Sequence, residues 1–246
     1  MVTVIKAKRR SKVLTSSGIA CLSVLPTINL TAGCLHDCNY CYIRGYRNYP
    51  GESRIVLYED TLERLQHELR PGKPRPRAVY FSPSSDLFQP AREVLELTHA
   101  VLAFLLGQGI GVAFLTKGSI PMETLQLLSD HAELVQAQVG LISVDEKISQ
   151  AFEPHAATPE ARLSQIAELI GDGVRTAARM DPILPTLTDD RRRLTNTSRR
   201  WRRQVSRASR RACSSCGRAS CIGSRKTSPV RWLRRSSMPI GMRIRR

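Results

Sequence analysis

Between Cys41 and Cys213 the chain has no cysteine, and its last 56 residues have neither aspartate nor glutamate. Nor does it hold a run of about 20 apolar residues, the length a helix needs to span a bilayer. Each absence excludes something. Without cysteines along the middle, a disulfide framework cannot staple the domain. The seven cysteines are an odd number, and three of them crowd into eight residues, which suits a shared metal and a reducing cytoplasm. The missing apolar run argues against a membrane protein. The basic start, Met1 to Val13, and the brief apolar stretch Gly18-Ile19-Ala20-Cys21-Leu22 give no expectation of a secretory signal.

The missing acids divide the chain electrically. The formal net charge is +17, but residues 191–246 hold 18 Arg and one Lys, so residues 1–190 come to −2. A near-neutral domain is followed by a strongly basic tail, and the total charge does not by itself mark a nucleic-acid-binding protein. With 246 residues there is enough chain for one sizeable domain or two small ones.

What is present is periodic. Residues 1–23 read as an irregular basic lead-in, and Ser23 to Leu30 as a short buried strand interrupted by Pro26. Residues 57–70 read as a helix, with Leu62, Leu65 and Leu69 at helical spacing. Strands then alternate with helices: Ala78 to Phe81, helix Arg92 to Leu106; Gly111 to Leu115, helix Met122 to His131. The strand Val135 to Val144 precedes a helix from Pro159 to Ile170 capped by Thr158, and Val174 to Met180 is a fifth strand. Such alternation implies parallel βαβ units with right-handed crossovers, whose chemistry collects at the carboxyl ends of the strands.

The chemistry-bearing signal is Cys34-Leu35-His36-Asp37-Cys38-Asn39-Tyr40-Cys41, a C-x3-C-x2-C run after the first strand. Three thiolates on a short loop can hold three irons of a [4Fe–4S] cubane and leave the fourth open, which catalysis requires. Structural zinc is the alternative; it wants four ligands in more widely separated pairs, and His36, inside the loop, is a cramped fourth. Lys117 at the end of the third strand is placed to pair with a carboxylate, or is a solvated loop lysine. Ser85 and Ser143 end their strands in similar positions and are candidate hydrogen-bond donors. Asp86 is either part of the same site or a cap for the helix that follows. Tyr40 and Tyr42 flank the third cysteine, and Glu153 with Arg162 reads as an ion pair tying a loop to a helix.

On the cysteine run with Tyr40, the chain resembles the radical S-adenosylmethionine superfamily, and within it the spore photoproduct lyase-like ("DNA repair photolyase") group. Further segments share that likeness: Ser85-Asp86-Leu87-Phe88-Gln89-Pro90 with Glu93, Thr116-Lys117-Gly118-Ser119, Glu153-Pro154 with Arg162, and Asp181-Pro182-Ile183-Leu184-Pro185. The resemblance covers residues 24–190 and implies an α/β fold, a partial (β/α) barrel of the radical SAM type. It implies a [4Fe–4S] cluster on Cys34, Cys38 and Cys41. It further implies S-adenosylmethionine held near Tyr40, Ser85, Lys117 and Ser143 and cleaved reductively to a 5′-deoxyadenosyl radical. It also implies a one-electron reductant such as flavodoxin or ferredoxin. Spore photoproduct lyase uses a further downstream cysteine as hydrogen donor; this chain has Ser84 and Ser85 in that region, so repair of the spore lesion is not expected and the substrate is open. The alternatives are a nucleic-acid-binding protein with structural zinc, and an inactive fragment.

Residues 191–246 hold only seven Leu, Ile, Val and Phe, below the roughly 20% that supports a core, so disorder is expected there. Three readings of this tail are open. It is a nucleic-acid arm, or a second metal site on Cys213, Cys216 and Cys221, or an out-of-frame reading of a G+C-rich gene that cuts the barrel after its fifth strand. A one-base shift near codon 190 that restored a helix–strand pattern would identify the third.

Overall fold

The computed structural model describes residues 2–17, 22, 24–192 and 194–203. Its main sheet has six strands: β2 (Thr15–Ser16), β3 (Pro26–Ile28), β6 (Ala78–Phe81), β7 (Gly111–Thr116), β8 (Val135–Gly140) and β9 (Arg175–Arg179), in that order. β3, β6, β7, β8 and β9 are parallel, and β2 runs antiparallel along β3. These five parallel strands are the five read from the sequence. A smaller sheet carries β1 (Thr3–Ala7), β5 (Arg54–Tyr58) and β4 (Thr31–Ala32) in the order β1-β5-β4.

Between the strands run the α-helices α1 (Thr61–Glu68), α2 (Arg92–Gly107), α3 (Met122–Asp130), α4 (Glu146–Phe152) and α5 (Pro159–Gly171). The Thr158 cap of α5 forms as expected, its Oγ1 accepting from the Ala161 amide at 3.2 Å. Among the described residues no helix is long and apolar enough to cross a membrane.

Period-two alternation sorts the main sheet into two faces. Val79, Phe81, Val112, Phe114, Val135 and Ala137 pack with Leu65 of α1, Leu102 and Leu105 of α2, Leu125 and Leu128 of α3 and Leu169 of α5 in one buried core. The intervening residues face the other way, where Tyr80 and Ala113 meet Leu22. The small sheet adds a second cluster, Ile55 and Leu57 against Leu35 of the cysteine loop and Val94 of α2. The chain crosses from one sheet to the other between β3 and β4, and β4 ends two residues before Cys34.

Several expectations are corrected. Over its described residues the lead-in is not irregular: β1 pairs in parallel with β5 from Thr3–Arg54 to Ala7–Tyr58, and β2 extends the main sheet. Arg9 secures this segment, its backbone amide bonded to Asp60 at 2.9 Å and its guanidinium 4.3 Å from the centre of the Tyr58 ring. The helix expected over 57–70 starts at Thr61, because the alternately buried Ile55 and Leu57 belong to β5. The strand expected over 135–144 ends at Gly140, and the short α4 that follows went unseen. Regular structure does not stop at Asp190: residues 191–192 and 194–203 are helical, Thr197 is buried, and Arg200 pairs with Glu160 of α5 at 2.8 Å. Residues 204–246, with Cys213, Cys216 and Cys221 and the tail's expected disorder, lie outside the described residues.

Candidate active site

The cysteine loop leaves β4 through Gly33, whose φ of +82° and close approach to Pro50 and the Arg54 carbonyl leave no room for a Cβ. Beyond it, side chains from distant elements hold the loop at nearly every residue. The Leu35 amide donates to Gln89 Oε1 at 2.8 Å, and Gln89, fully buried, donates in turn to Thr31 Oγ1 and the Asp86 carbonyl. Asp37 takes a left-handed conformation and accepts from the Ser53 amide and hydroxyl. Arg44 reaches back to the carbonyls of Cys38 and Asp37. The Asn39 amide and side chain donate to the carbonyls of Phe152 and Ala151, which end α4. The Tyr40 hydroxyl donates to Glu153.

Beside the loop, β6 and β7 end in a second network around Asp86. Its carboxylate accepts from the Phe88 amide, the Thr116 hydroxyl and the Lys117 amide, each at 2.8 Å, and stands 3.3 Å from His36 Nε2. His36 is buried, and its Nδ1 lies 3.1 Å from the His155 carbonyl. Burial alone would push the Asp86 carboxyl up; the His36 imidazole and these hydrogen bonds outweigh it and bring the pKa down to about 2. Asp86 therefore locks two strand ends and the cysteine loop together, and it does not cap α2, whose N-cap is Ala91.

A cavity of ≈ 590 Å³ opens above this network. Cys34, Cys38 and Cys41 line it, with Tyr40, Ser85 and Lys117. The strand ends supply its floor: Tyr80 of β6 with Ser82 just past it, Leu115 of β7 with Lys117 just past it, and Arg179 of β9 with Asp181 beyond it. The Lys117 stem lies over Gly140, where a Cβ would come within 2.9 Å of it, and its ammonium is 5.6 Å from the Tyr40 ring centre.

The site's chemistry suits a cluster with a polar ligand beside it. Burial pushes the Cys34 thiol well up and the Cys38 thiol to about 12, the second partly offset by the Lys117 cation. Thiols in this setting stay protonated unless a metal replaces the proton. Ser82 Oγ and Ser85 Oγ are buried in the cavity region with no hydrogen-bond partner, which a bound polar group would satisfy. Among the described residues, no three His, Cys, Asp or Glu side chains converge on a single-ion site.

Of the residues singled out from the sequence, the structure brings together the three cysteines, Tyr40, Ser85 and Lys117. Ser143 is the exception. Its Oγ accepts from the Asp145 amide at 3.0 Å in the turn before α4, and it lines a different cavity with Asp190, Arg191 and Arg192. The strand ended three residues before Ser143, so that residue never reached the mouth. Tyr80, Ser82 and Arg179 were missed; continuing the two-residue alternation to the strand ends would have found them.

Three comparisons place this geometry among known proteins. The radical SAM superfamily model matches residues 28–196. An uncharacterised protein of Mycobacterium tuberculosis is 30% identical over 172 residues, covering 66% of this chain and 51% of the relative. A radical SAM Nα-GlyT isomerase of Pseudomonas phage M6 is 28% identical over 165 residues, 65% of this chain and 34% of the relative. The chain thus spans about half the length of the first of these relatives. Among solved structures, a spore photoproduct lyase mutant superposes with a TM-score of 0.60 at 20% identity, covering 82% of this chain and 57% of that one. Another, with bound AdoMet and dinucleoside spore photoproduct, gives 0.57 at 18% identity over 85% and 57%. These likenesses show a shared fold. With the superfamily's model matching most of its length, the chain belongs to the radical SAM superfamily, whose members use a [4Fe–4S] cluster and S-adenosylmethionine.

Proposed function

We propose that the chain is a radical S-adenosylmethionine enzyme that holds its cluster on Cys34, Cys38 and Cys41 and its S-adenosylmethionine in the adjoining cavity. One observation carries the reading: three thiols, an unpartnered buried serine hydroxyl and a lysine ammonium line the same cavity at the carboxyl ends of parallel strands. Held by Cys34, Cys38 and Cys41, a [4Fe–4S] cluster would supply the single electron that cleaves S-adenosylmethionine reductively to methionine and a 5′-deoxyadenosyl radical.

The chain's own residues bind and orient. Lys117, its stem fixed over Gly140, offers a cation to the methionyl carboxylate. Ser85 Oγ offers a hydrogen bond to the same moiety. Leu115 and Tyr80 floor the cavity and exclude water from its base. Tyr42, Tyr46 and Arg179 stand at its open side, where substrate enters.

The electron comes from a one-electron reductant such as flavodoxin or ferredoxin. The structural neighbour holding a dinucleoside spore photoproduct supports nucleic acid as the first substrate class to test. The spore lyase's own reaction is not proposed, since a serine O–H bond is too strong to replace the thiol that donates hydrogen there.

Anaerobic reconstitution with iron and sulfide tests the reading. The expected result is a brown protein with thiolate-to-iron charge-transfer absorption, lost in Cys38→Ala, that forms 5′-deoxyadenosine when reduced in the presence of S-adenosylmethionine. Stoichiometric, colourless zinc in place of iron would overturn it.

A further inference from the structure

The sequence suggests a modest role for Glu153 and Arg162, an ion pair joining a loop to a helix. Their surroundings give them a larger one. Both side chains are completely shielded from solvent, with Arg162 Nη1 2.5 Å from Glu153 Oε2. Arg162 spends its other donors on the Ala157 carbonyl at 2.6 Å, the Gly140 carbonyl at 2.9 Å and Ser149 Oγ at 3.2 Å. It thereby ties together the end of β8, the helix α4 and the start of α5. The second Glu153 oxygen is left for one partner from outside these elements, and that partner is the Tyr40 hydroxyl.

Tyr40 does not come alone. Its neighbour Asn39 satisfies two carbonyls at the end of α4, at 3.0 and 2.8 Å. The two residues between Cys38 and Cys41 are therefore both anchored to the α4–Glu153–Arg162 unit, while Cys34 is held independently through Gln89 and Leu35. The Asn39 side-chain bond is exposed, but the Glu153 carboxylate is fully shielded, so losing the Tyr40 hydroxyl would leave one of its oxygens buried and unpaired.

We propose that the Glu153–Arg162 pair is the positioning device of the cysteine loop: acting through Tyr40, it sets where Cys38 and Cys41 stand relative to Cys34, and so shapes the cluster site. The pair touches no cofactor; it fixes the residues that do. This rests on the assignment of the three cysteines to a cluster.

The test uses the full chain in two states. Without metal, hydrogen–deuterium exchange is followed over residues 34–46 and, as control, over β6 and β7. Tyr40→Phe keeps the ring and removes only the hydroxyl, and Glu153→Gln removes the charge. Tyr40→Phe is expected to speed exchange of the Asn39 and Cys41 amides about tenfold, the loss of one hydrogen bond to a charged group, and to leave the strands unchanged. After anaerobic reconstitution, the same variant is expected to alter the electron paramagnetic resonance spectrum of the reduced cluster and to lose iron faster than wild type. A purely structural pair would slow or speed exchange everywhere and leave that spectrum alone. Unchanged loop exchange in Tyr40→Phe overturns the proposal, even if Glu153→Gln fails to fold. If wild type itself binds no cluster, the cluster assignment falls, while the exchange data still decide whether the pair holds the loop.

Discussion

The two sides of the cavity are built differently. On the inner side, Asp86, His36, Gln89 and Thr116 are all buried, and their hydrogen bonds run between the cysteine loop and the ends of β6 and β7. On the outer side, Tyr42 and Tyr46 are exposed, their rings tilted 60° at 5.7 Å, and Arg179 is partly exposed and paired only loosely, with Asp181 and Gln138. The inner side has no freedom to rearrange without leaving a buried polar group unpaired, which costs far more than a surface bond. A site that must hold a cofactor in one geometry needs the first kind of wall, and a mouth that admits substrate tolerates the second.

By that contrast, the largest loss of stability comes from removing Asp86. Asp86→Ala strands the Phe88 and Lys117 amides, the Thr116 hydroxyl and the His36 ring at once. We expect about 3–5 kcal/mol of destabilisation in urea unfolding, from several buried donors left unpaired at once. A loss below about 1 kcal/mol would make the inner wall no different from a surface network. Next in size is Gly118, where an added Cβ would stand 1.9 Å from the Phe88 carbonyl oxygen. Because the obstacle is backbone, Gly118→Ala must move the β6–α2 loop, at a cost on the order of 3 kcal/mol. The check is the same unfolding experiment, with loss of iron from the reconstituted protein as a second reading.

How much of this was legible in the sequence follows the same division. The parallel strands β6 to β8 and helices α2, α3 and α5 are readable because each buries an apolar face. The small sheet was not. β1 carries Lys6 and an exposed Ile5, and owes its existence to pairing with β5, a partner some fifty residues away that no local pattern reports. The three cysteines, Tyr40, Ser85 and Lys117 were found because motif spacing or a strand end marked them. The partners that fix them are less legible: Asp86 reads as site residue or helix cap, Glu153 as a loop tie and Gln89 only as part of a shared segment, since all three act across the fold rather than along the chain. Ser143 failed for the opposite reason: a strand assumed four residues too long carried it to a mouth it does not reach.

Acid titration gives a smaller and more selective test. The Asp86 carboxyl sits at about 2 in the folded protein, below its ordinary value. Its contribution is therefore present in full above about pH 4 and lost as the pH falls toward 2, on the order of 2 kcal/mol in all. Unfolding free energies of wild type and Asp86→Asn should converge across that window, since the amide has no proton to take up. Parallel curves would place the acid sensitivity elsewhere.

The smallest effects belong to the mouth. Arg179→Gln removes an ion pair whose members are each more than a third exposed, with Nη2 3.0 Å from Asp181 Oδ2. Tyr42→Phe removes one hydroxyl that donates to the Pro83 carbonyl from an exposed ring. Each should change unfolding stability by no more than about 0.5 kcal/mol and leave iron content after reconstitution at the wild-type level. Deoxyadenosine formation without substrate should also persist, because neither side chain holds the cysteine loop. A rim variant that lost its iron would show that the mouth helps to build the cluster site, and the difference between the two walls would then be one of exposure alone.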